Sequence, residues 1–498
     1  MHSKGVVAAI LLLTLSSFAH NRPSVDCDQI AMWMASGVSS QSLQRFIEQR
    51  GIAFEINETA SNALARAGAD ATLLQKLRSL SRQSTLPSTS CSLTVTEAAV
   101  AVQDQNFDQA KPLLEALITK DPKNAAFHFA LGDAYLKQGS VDSAFDEYST
   151  AKELMPSFAE THSRLAYVFY RYDDGDNAIA EARTALSMDP ENAEAYRYLG
   201  LGFLSNDSYA PALNAFQESL RREPGDASTH YDIGLTLRAK GDLQGAANAY
   251  RTATRLDPLF WEAHNGFGLA LHDLGRFDVA IAAYREAERL APNEPSIRHN
   301  LGNALCDKGD FSAAISELRA LFRISPNWPE GHDTLAKALM ARQDYASAIT
   351  ELNLAIQQNP TVAVTHRVLG QALLLTGQTV AAEKQLRVAV ELDPDSPVAH
   401  HYLGTALFQA ARWEPAAKEF HEALRLQPTA DNHFYLAACL ASMGEYEQAL
   451  LEIDEATRLE PRKTLYRERK EELLKLIKQT PREQTSTNSN PNGSLAAK

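Results

Sequence analysis

Histidine is the residue type whose spacing in this sequence could indicate chemistry. The chain has 14 histidines, and a set of them recurs at one position of a 34-residue period, with a final step of 33: His128, His162, His230, His264, His332, His366, His400 and His433. A metal site would need two or more imidazoles around one ion, at bonds of about 2.1 Å. Equivalent positions in stacked helical hairpins lie about 10 Å apart, so these side chains cannot share an ion. The periodicity therefore predicts a packing position and no metal site.

The rest of the sequence shows no pattern typical of catalysis. It contains no nucleophile motif, no glycine-rich phosphate loop and no metal-ligand spacing. The segments assigned below leave no stretch of about 100 residues or more for a catalytic domain. We therefore expect a protein that is not an enzyme and needs no cofactor.

Charge restricts the class of partner. Asp and Glu total 62 against 48 Lys and Arg, which gives a formal net charge of −14. An acidic surface disfavours nucleic acid and anionic membranes as main partners. We expect no nucleic-acid binding.

The first residues are typical of a secretory signal peptide. Lys4 precedes an apolar run over 6–15, which is too short to span a bilayer of about 30 Å as a helix. Ser17 and Ala19 are small residues at the positions that a signal peptidase reads. We expect a signal peptide over 1–19, a periplasmic or secreted mature protein, and no membrane span after signal cleavage.

Export would place the four cysteines in an oxidising compartment. Cys27 and Cys91 flank one small segment and could form a disulfide. Cys306 and Cys439 fall four repeats apart, too far for a bridge when each helix layer adds about 10 Å. They are expected to be buried thiols.

A repeat of 34 residues organises most of the chain. Prolines keep this spacing, with a last step of 33: Pro122, Pro156, Pro190, Pro224, Pro258, Pro292, Pro326, Pro360, Pro394, Pro428 and Pro461. Alanine stands twelve residues before each proline, and Gly or Ala, often after Leu, stands twenty-four residues before it. Proline ends a helix, and small residues allow two helices to approach closely. Each period is therefore predicted to form two antiparallel helices joined by a turn, often at glycine.

This pattern resembles the tetratricopeptide repeat family, because the period, the Leu-Gly pair, the alanine and the proline agree in register. The resemblance implies an all-α fold, a right-handed superhelical solenoid of about eleven helical hairpins. It covers 91–461, and the repeats are 91–124, 125–158, 159–192, 193–226, 227–260, 261–294, 295–328, 329–362, 363–396, 397–429 and 430–461.

The flanks lack the 34-residue spacing. Residues 27–80 contain short apolar stretches that end at glycine, which predicts a small helical N-terminal cap domain. A polar linker over 81–92 follows it. At the other end, 462–479 is predicted to form an amphipathic helix that covers the last repeat, and 480–498 has the composition of a disordered tail.

The family resemblance implies that partners bind on a concave face lined by the first helix of each hairpin. The family register places these residues there: Tyr167, Tyr170, Arg197, Tyr231, Arg238, Asn265, His299, Asn303, Asp333, Lys337, Arg367, Gln371 and His401. Tyr, Arg and Asn are adaptable contact residues. The alternative is a concave face that is only solvated, since polar residues there also keep a solenoid soluble.

The leading hypothesis is a non-catalytic scaffold for a protein or peptide ligand in the cell envelope or outside the cell. Its alternative is a regulatory or substrate-presenting subunit of a separate enzyme, such as an O-linked glycosyltransferase. The asparagine series and the Lys-Asn-Arg carboxylate clamp by which some family members hold peptides are not evident, so the sequence leaves the ligand unidentified.

Overall fold

Residues 24–81 and 91–479 of a computed structural model are described here. The predicted signal peptide over 1–19, the predicted tail over 480–498 and most of the predicted linker lie outside the described residues. The chain divides into two compact units, Met1–Leu274 and Gly275–Lys498. Each unit is described by itself.

The described residues form helices and no β-strand, which confirms the all-α fold class. In the first unit the helices are α1 (Cys27–Ala35), α2 (Ser40–Arg50), α3 (Glu58–Arg66), α4 (Ala71–Ser81), α5 (Leu93–Gln103), α6 (Phe107–Lys120), α7 (Ala125–Lys137), α8 (Val141–Leu154), α9 (Ala159–Arg171), α10 (Gly175–Met188), α11 (Ala193–Ser205), α12 (Tyr209–Arg222), α13 (Ala227–Ala239), α14 (Leu243–Leu256) and α15 (Trp261–Asp273).

The second unit continues the series of paired helices. Its helices are α16 (Phe277–Leu290), α17 (Pro295–Lys308), α18 (Phe311–Ile324), α19 (Gly331–Ala341), α20 (Tyr345–Gln358), α21 (Ala363–Leu375), α22 (Thr379–Leu392), α23 (Pro397–Gln409), α24 (Trp413–Leu426), α25 (Ala430–Ser442), α26 (Tyr446–Leu459) and α27 (Thr464–Gln479).

The periodic residues set the helix boundaries. At the start of α13, the carboxylate of Asp226 accepts hydrogen bonds from the amides of Ser228 (3.1 Å) and Thr229 (3.0 Å), which caps the helix. At the end of α22, Asp393 leaves the helical conformation one residue before Pro394. The periodic prolines thus stand just beyond second helices, as the sequence predicts.

The turn inside each hairpin needs a residue in the left-handed region. Glycine fills this position at Gly139, Gly241, Gly275, Gly309, Gly377 and Gly444, and non-glycine residues fill it at Gln105, Asp173, Asp207, Gln343 and Ala411. All of these φ angles are positive, between 52° and 90°. A side chain at such a φ is strained relative to glycine. The turn geometry is therefore kept even in the repeats whose sequence does not favour it.

Small residues at the crossing of the two helices match the side chain that they face. Glycine stands opposite an aromatic ring sixteen residues later in four hairpins: Gly132 with Tyr148, Gly200 with Phe216, Gly234 with Tyr250 and Gly404 with Phe420. Where the small residue is alanine, the residue sixteen positions later is aliphatic: Leu114, Ala182, Leu352 and Ile453. Glycine also faces leucine, at Gly302 with Leu318 and at Gly370 with Leu386. Glycine thus accepts a ring or a leucine at this crossing, whereas alanine is paired with smaller side chains than a ring.

The N-terminal helix α1 packs onto the first helices α5 and α7 of the following repeats, and α3 packs onto α5. Cys27 and Cys91 are joined by a disulfide with Cα atoms 5.0 Å apart, which ties α1 to the start of α5. The indole of Trp33 stacks on Phe158 with ring centroids 4.3 Å apart. Arg45 on α2 donates to the carboxylate of Asp189 at 2.7 Å. The cap thus forms one core with the repeats of its unit.

The C-terminal helix α27 covers the last hairpin of the second unit. Tyr466 and Leu473 are buried against it. The hydroxyl of Tyr466 and the ammonium of Lys463 both donate to Asp431 at 2.7 Å. Cys306 and Cys439 are buried, free thiols in this unit.

Candidate partner-binding groove

The predicted concave-face residues fall into two sets, one in each unit. The first unit holds Tyr167, Tyr170, Arg197, Tyr231, Arg238 and Asn265, and the second holds His299, Asn303, Asp333, Lys337, Arg367, Gln371 and His401. The two sets differ in how many of their polar groups are already paired within the protein.

In the first unit both arginines are paired within the protein. Arg197 Nε donates to the buried carboxylate of Asp232, and Arg238 Nε donates to Asp273 at 2.8 Å. Replacing Arg197 by alanine would leave Asp232 buried and unpaired, which destabilises a protein by several kcal/mol. Arg197 therefore contributes to the stability of the fold, and its role in binding stays a prediction.

The tyrosines of the first set pack against other rings. Tyr167 lies 5.1 Å from the ring of Tyr198, and Tyr231 lies 5.1 Å from Phe260. Burial raises the pKa of Tyr170 above its ordinary value. Asn265 is half-buried on α15. These side chains therefore pack within the stack of first helices and do not form an open site.

The cap helices also use part of this surface. The guanidinium of Arg164 on α9 is buried, pairs with Asp133 at 3.1 Å and donates to the backbone oxygen of Ser36 at 3.4 Å. This contact could not be predicted from the sequence, because nothing in 27–80 specifies which repeats the cap covers. Part of the surface of these repeats is therefore covered by the N-terminal helices of the same chain.

In the second unit, six of the seven predicted residues line one groove. It lies along the first helices α17, α19 and α21 and has a volume of about 810 Å³. The residues are His299, Asn303, Asp333, Lys337, Arg367 and Gln371. The structure thus brings together side chains from three consecutive repeats. Their role in binding stays a prediction.

Some of the polar groups in the groove hold one another in place. Asn303 Nδ2 lies 3.3 Å from His299 Nε2, and the hydroxyl of Thr334 donates to Asn303 Oδ1 at 3.1 Å. Burial lowers the pKa of His299, so its imidazole is neutral near pH 7. With Nε2 accepting from Asn303, the ring proton lies on Nδ1 and is left to donate elsewhere.

The acidic and basic groups of α19 are likewise held. Asp333 accepts from the hydroxyl of Thr365 at 2.8 Å, and Lys337 pairs with Asp307 at 2.7 Å. These contacts link α17, α19 and α21 side by side. They fix the floor of the groove without filling it.

Helix α21 contributes the groups that are not held. Arg367 and Gln371 are half-buried residues, and within residues 24–81 and 91–479 no hydrogen bond or ion pair reaches the guanidinium of Arg367 or the amide of Gln371. Val364 and Leu375 line the same groove and are 56% and 53% exposed. The four residues recur at intervals of three and four, so they form one stripe along the helix. A cation and an amide therefore lie between two exposed apolar side chains.

The backbone is unusual where α19 enters the groove. Glu330 has a φ of +64°, and it is the one non-glycine residue of the described chain with a positive φ outside the hairpin turns. The neighbouring first helices α17 and α21 begin at Pro295 and Ala363, whereas α19 begins at Gly331, two residues later in the repeat. Strained backbone that the surroundings maintain is often found at binding sites.

His401 lies outside this groove. Its Nδ1 lies 2.6 Å from Asn432 Oδ1, and its ring contacts Tyr402, Phe420 and Tyr435. The structure therefore does not join it to the other six residues of its set.

The apolar half of the groove and its strained rim were not predicted from the sequence. Val364, Leu375, Met340 and Glu330 all line it. The sequence did contain a signal for the apolar residues. Most other repeats have a polar or small residue at the positions that correspond to Val364 and Leu375, so these two apolar side chains are not needed for the hairpin core. The unusual Pro-Glu-Gly sequence at 329–331 was a second signal.

The periodic histidines make a repeated hydrogen-bonding contact within the hairpins. In His128 and His162, Nδ1 faces a glutamate nineteen residues later (2.7 and 2.6 Å), and Nε2 faces the carbonyl of the periodic proline (3.2 and 3.0 Å). His366 and His400 repeat this pattern, with Gln385 and Glu419 as partners. Arg298 takes the same two partners where histidine is replaced. Each such side chain joins its two helices to the preceding turn.

For His128, the hydrogen bond to Glu147 raises the pKa of the imidazole above its ordinary value.

Among the residues that the structure describes, no group of three or more His, Cys, Asp and Glu side chains is arranged to hold a metal ion. No helix in the described ranges combines the length and the apolar character needed to cross a membrane.

The paired helices and their period define an α-helical repeat protein. Two sequence models, both described as tetratricopeptide repeat, match it: one over 95–157, 164–227, 231–295 and 403–462, and the other over 271–338 and 339–403. The chain belongs to the tetratricopeptide repeat family, which confirms the resemblance. Repeats of this family generally build scaffolds for protein or peptide partners, so protein interaction is the general role of this chain.

Several solved structures share the fold at low sequence identity. A structure of MamA from Desulfovibrio magneticus RS-1 is 22% identical, covers 34% of this chain and 94% of its own, and has a TM-score of 0.33. PilF of Pseudomonas aeruginosa is 21% identical and covers 45% and 98%, with a TM-score of 0.39. YrrB, described as a TPR protein with an unusual peptide-binding site, is 20% identical and covers 38% and 96%, with a TM-score of 0.34. No curated protein sequence matches the chain.

Proposed function

We propose that this protein is a non-catalytic scaffold, and that the groove of α17, α19 and α21 is its partner-binding site. The observation that carries this proposal is the set of unpaired polar groups on α21. Arg367 and Gln371 are half-buried, and neither has a hydrogen-bond or ion-pair partner in the described ranges. Their polar groups are therefore available to form hydrogen bonds with a ligand.

The apolar residues of the groove support the same role. Val364 and Leu375 line the groove and are more than half exposed. Partner-binding sites combine an apolar centre with a few polar groups, and arginine is enriched among the residues that dominate binding energy. A groove of about 810 Å³ accommodates several side chains of a bound segment.

We also propose that the protein acts in the cell envelope or outside the cell. The disulfide between Cys27 and Cys91 supports this location, because disulfides persist in oxidising compartments. The composition of residues 1–19, typical of a secretory signal peptide, supports it independently.

A matched pair of charge reversals tests the site. Arg367→Glu changes the groove, whereas Lys384→Glu makes the same change of charge on the exposed side of the second helix α22. Each variant and the parent are used to capture partners from an envelope extract, with quantitative mass spectrometry of what is bound. We expect Arg367→Glu to lose partners that Lys384→Glu retains. Equal capture by all three proteins would contradict the proposed site.

A further inference from the structure

The chemistry of the groove specifies its ligand more closely, if the groove is the partner site as proposed above. Arg367 offers up to five N–H donors in a fixed plane, and no acidic side chain of the described chain pairs with them. Among the groups of an unmodified peptide, a carboxylate stabilises a planar guanidinium most, because it can accept two parallel hydrogen bonds. The ligand group opposite Arg367 is therefore expected to be a carboxylate.

The position of Arg367 within the stripe decides where that carboxylate lies in the ligand. Val364 stands one turn before Arg367 on α21, and Leu375 stands two turns after it, beyond Gln371. Apolar contacts are thus available on both sides of the cation. A carboxylate at the end of a chain would leave one of these apolar side chains uncovered, whereas an acidic side chain within a chain covers both.

The length of the stripe sets the length of the recognised segment. The eleven residue steps from Val364 to Leu375 span about 16 Å at 1.5 Å per residue. An extended peptide rises about 3.3 Å per residue, so about five residue steps, and hence about six residues, cover the same distance. The amide of Gln371 and the Nδ1 proton of His299 can form hydrogen bonds with the peptide backbone of such a segment, because each residue of an extended chain presents both a donor and an acceptor.

We infer that the groove recognises an extended peptide segment of about six residues in which an aspartate or glutamate lies between two apolar side chains. The acidic side chain pairs with Arg367, and the apolar side chains pack on Val364 and Leu375. At the rim of the groove, α19 begins two residues late, directly after the strained residue Glu330.

Selection from a random peptide library tests this inference with the full-length chain. A library of seven-residue peptides, displayed within a longer protein so that no free carboxyl terminus is present, is selected separately on the parent, Arg367→Glu and Lys384→Glu. We expect peptides from the parent and from Lys384→Glu to carry an internal Asp or Glu flanked by apolar residues. Arg367→Glu should select Lys or Arg at that position instead.

Two selected peptides are then synthesised with the acidic residue changed to its amide, and their affinities are measured by fluorescence anisotropy. The amide should bind the parent at least tenfold more weakly, and the difference should vanish in Arg367→Glu. Peptides that bind the parent and lose affinity in Arg367→Glu, but lack an internal acidic residue, would overturn this inference and leave the proposed site intact. Selection of no peptide by the parent, or of the same peptides by all three proteins, would overturn the proposed site as well.

Discussion

Gly200 provides a sharp test of how the hairpins pack. A Cβ atom added at this residue would lie 2.5 Å from Cε1 of Phe216, whereas carbon atoms in contact are separated by about 3.5–4.0 Å. The ring of Phe216 is fully buried, so it cannot move aside without displacing its neighbours. Overpacking of this kind costs about 1–3 kcal/mol, and the better helix propensity of alanine recovers at most about 1 kcal/mol.

We therefore expect Gly200→Ala to lower the free energy of unfolding by about 1–2 kcal/mol. Because each repeat contacts its neighbours only, faster hydrogen exchange should be confined to α11, α12 and the adjoining helices. Gly225→Ala in the loop after α12 is the control, since no atom lies within 4 Å of its added Cβ.

The double variant Gly200→Ala with Phe216→Leu adds a test of the cause. It reproduces the pair of alanine and leucine that Ala336 and Leu352 form in another hairpin. Its destabilisation should be smaller than the sum of the two single changes, because the smaller side chain leaves room for the new methyl group. Full stability of Gly200→Ala, or simple additivity in the double variant, would refute this reasoning.

Three further predictions address the cap and the turns. Alkylation without reduction should leave Cys27 and Cys91 unmodified in the native chain, and Cys27→Ser should lower stability by about 2–5 kcal/mol. Ala411→Gly should raise stability by about 0.5–1 kcal/mol, because its φ of +56° suits glycine, as thermal unfolding would show. Burial raises the pKa of Glu160 beneath the cap to about 7. Its protonated form is favoured on folding, so this contribution is complete below the ordinary pKa of 4.5 and is lost as the pH rises to about 7. Glu160→Gln should flatten the fall in stability across that window, and an unchanged pH profile would contradict it.

The sequence predicts the repeats well because their signals are local and recur. Each signal acts within one hairpin: the periodic prolines, the Gly or Ala at each helix crossing and the turn residues. The same local pattern therefore occurs in all eleven repeats and can be recognised from the sequence. Even so, Gln105, Asp207 and Ala411 show that the fold imposes a left-handed turn where the residue does not favour it.

The sequence predicts the candidate site only in part, because pairing between helices is not periodic. His299 and Arg367 occupy similar faces of their helices, yet one is held by Asn303 and the other has no partner in the described ranges. Arg197 satisfies the same sequence criteria as Arg367 but pairs with Asp232. Which arginine is free depends on contacts across repeats, and these follow from packing.

The location of the cap could not be predicted for a similar reason. Trp33 and Phe46 indicate that 27–80 has a core, but their packing with Phe158 joins residues more than a hundred positions apart. Short helices without a period carry no register that would specify the repeats they cover. The Cys27–Cys91 disulfide restrains only the first of these contacts.

Site-specific photo-cross-linking in the native host tests the central claim most directly. A photoreactive residue is placed at Gln371 in the groove, and in a second variant at Lys384 on the exposed side of α22. If the groove binds the partner, we expect a specific cross-linked adduct from position 371 that disappears when Arg367→Glu is added. We expect no such adduct from position 384. An adduct from position 384 alone, or one from position 371 that persists with Arg367→Glu, would contradict a partner site in the groove.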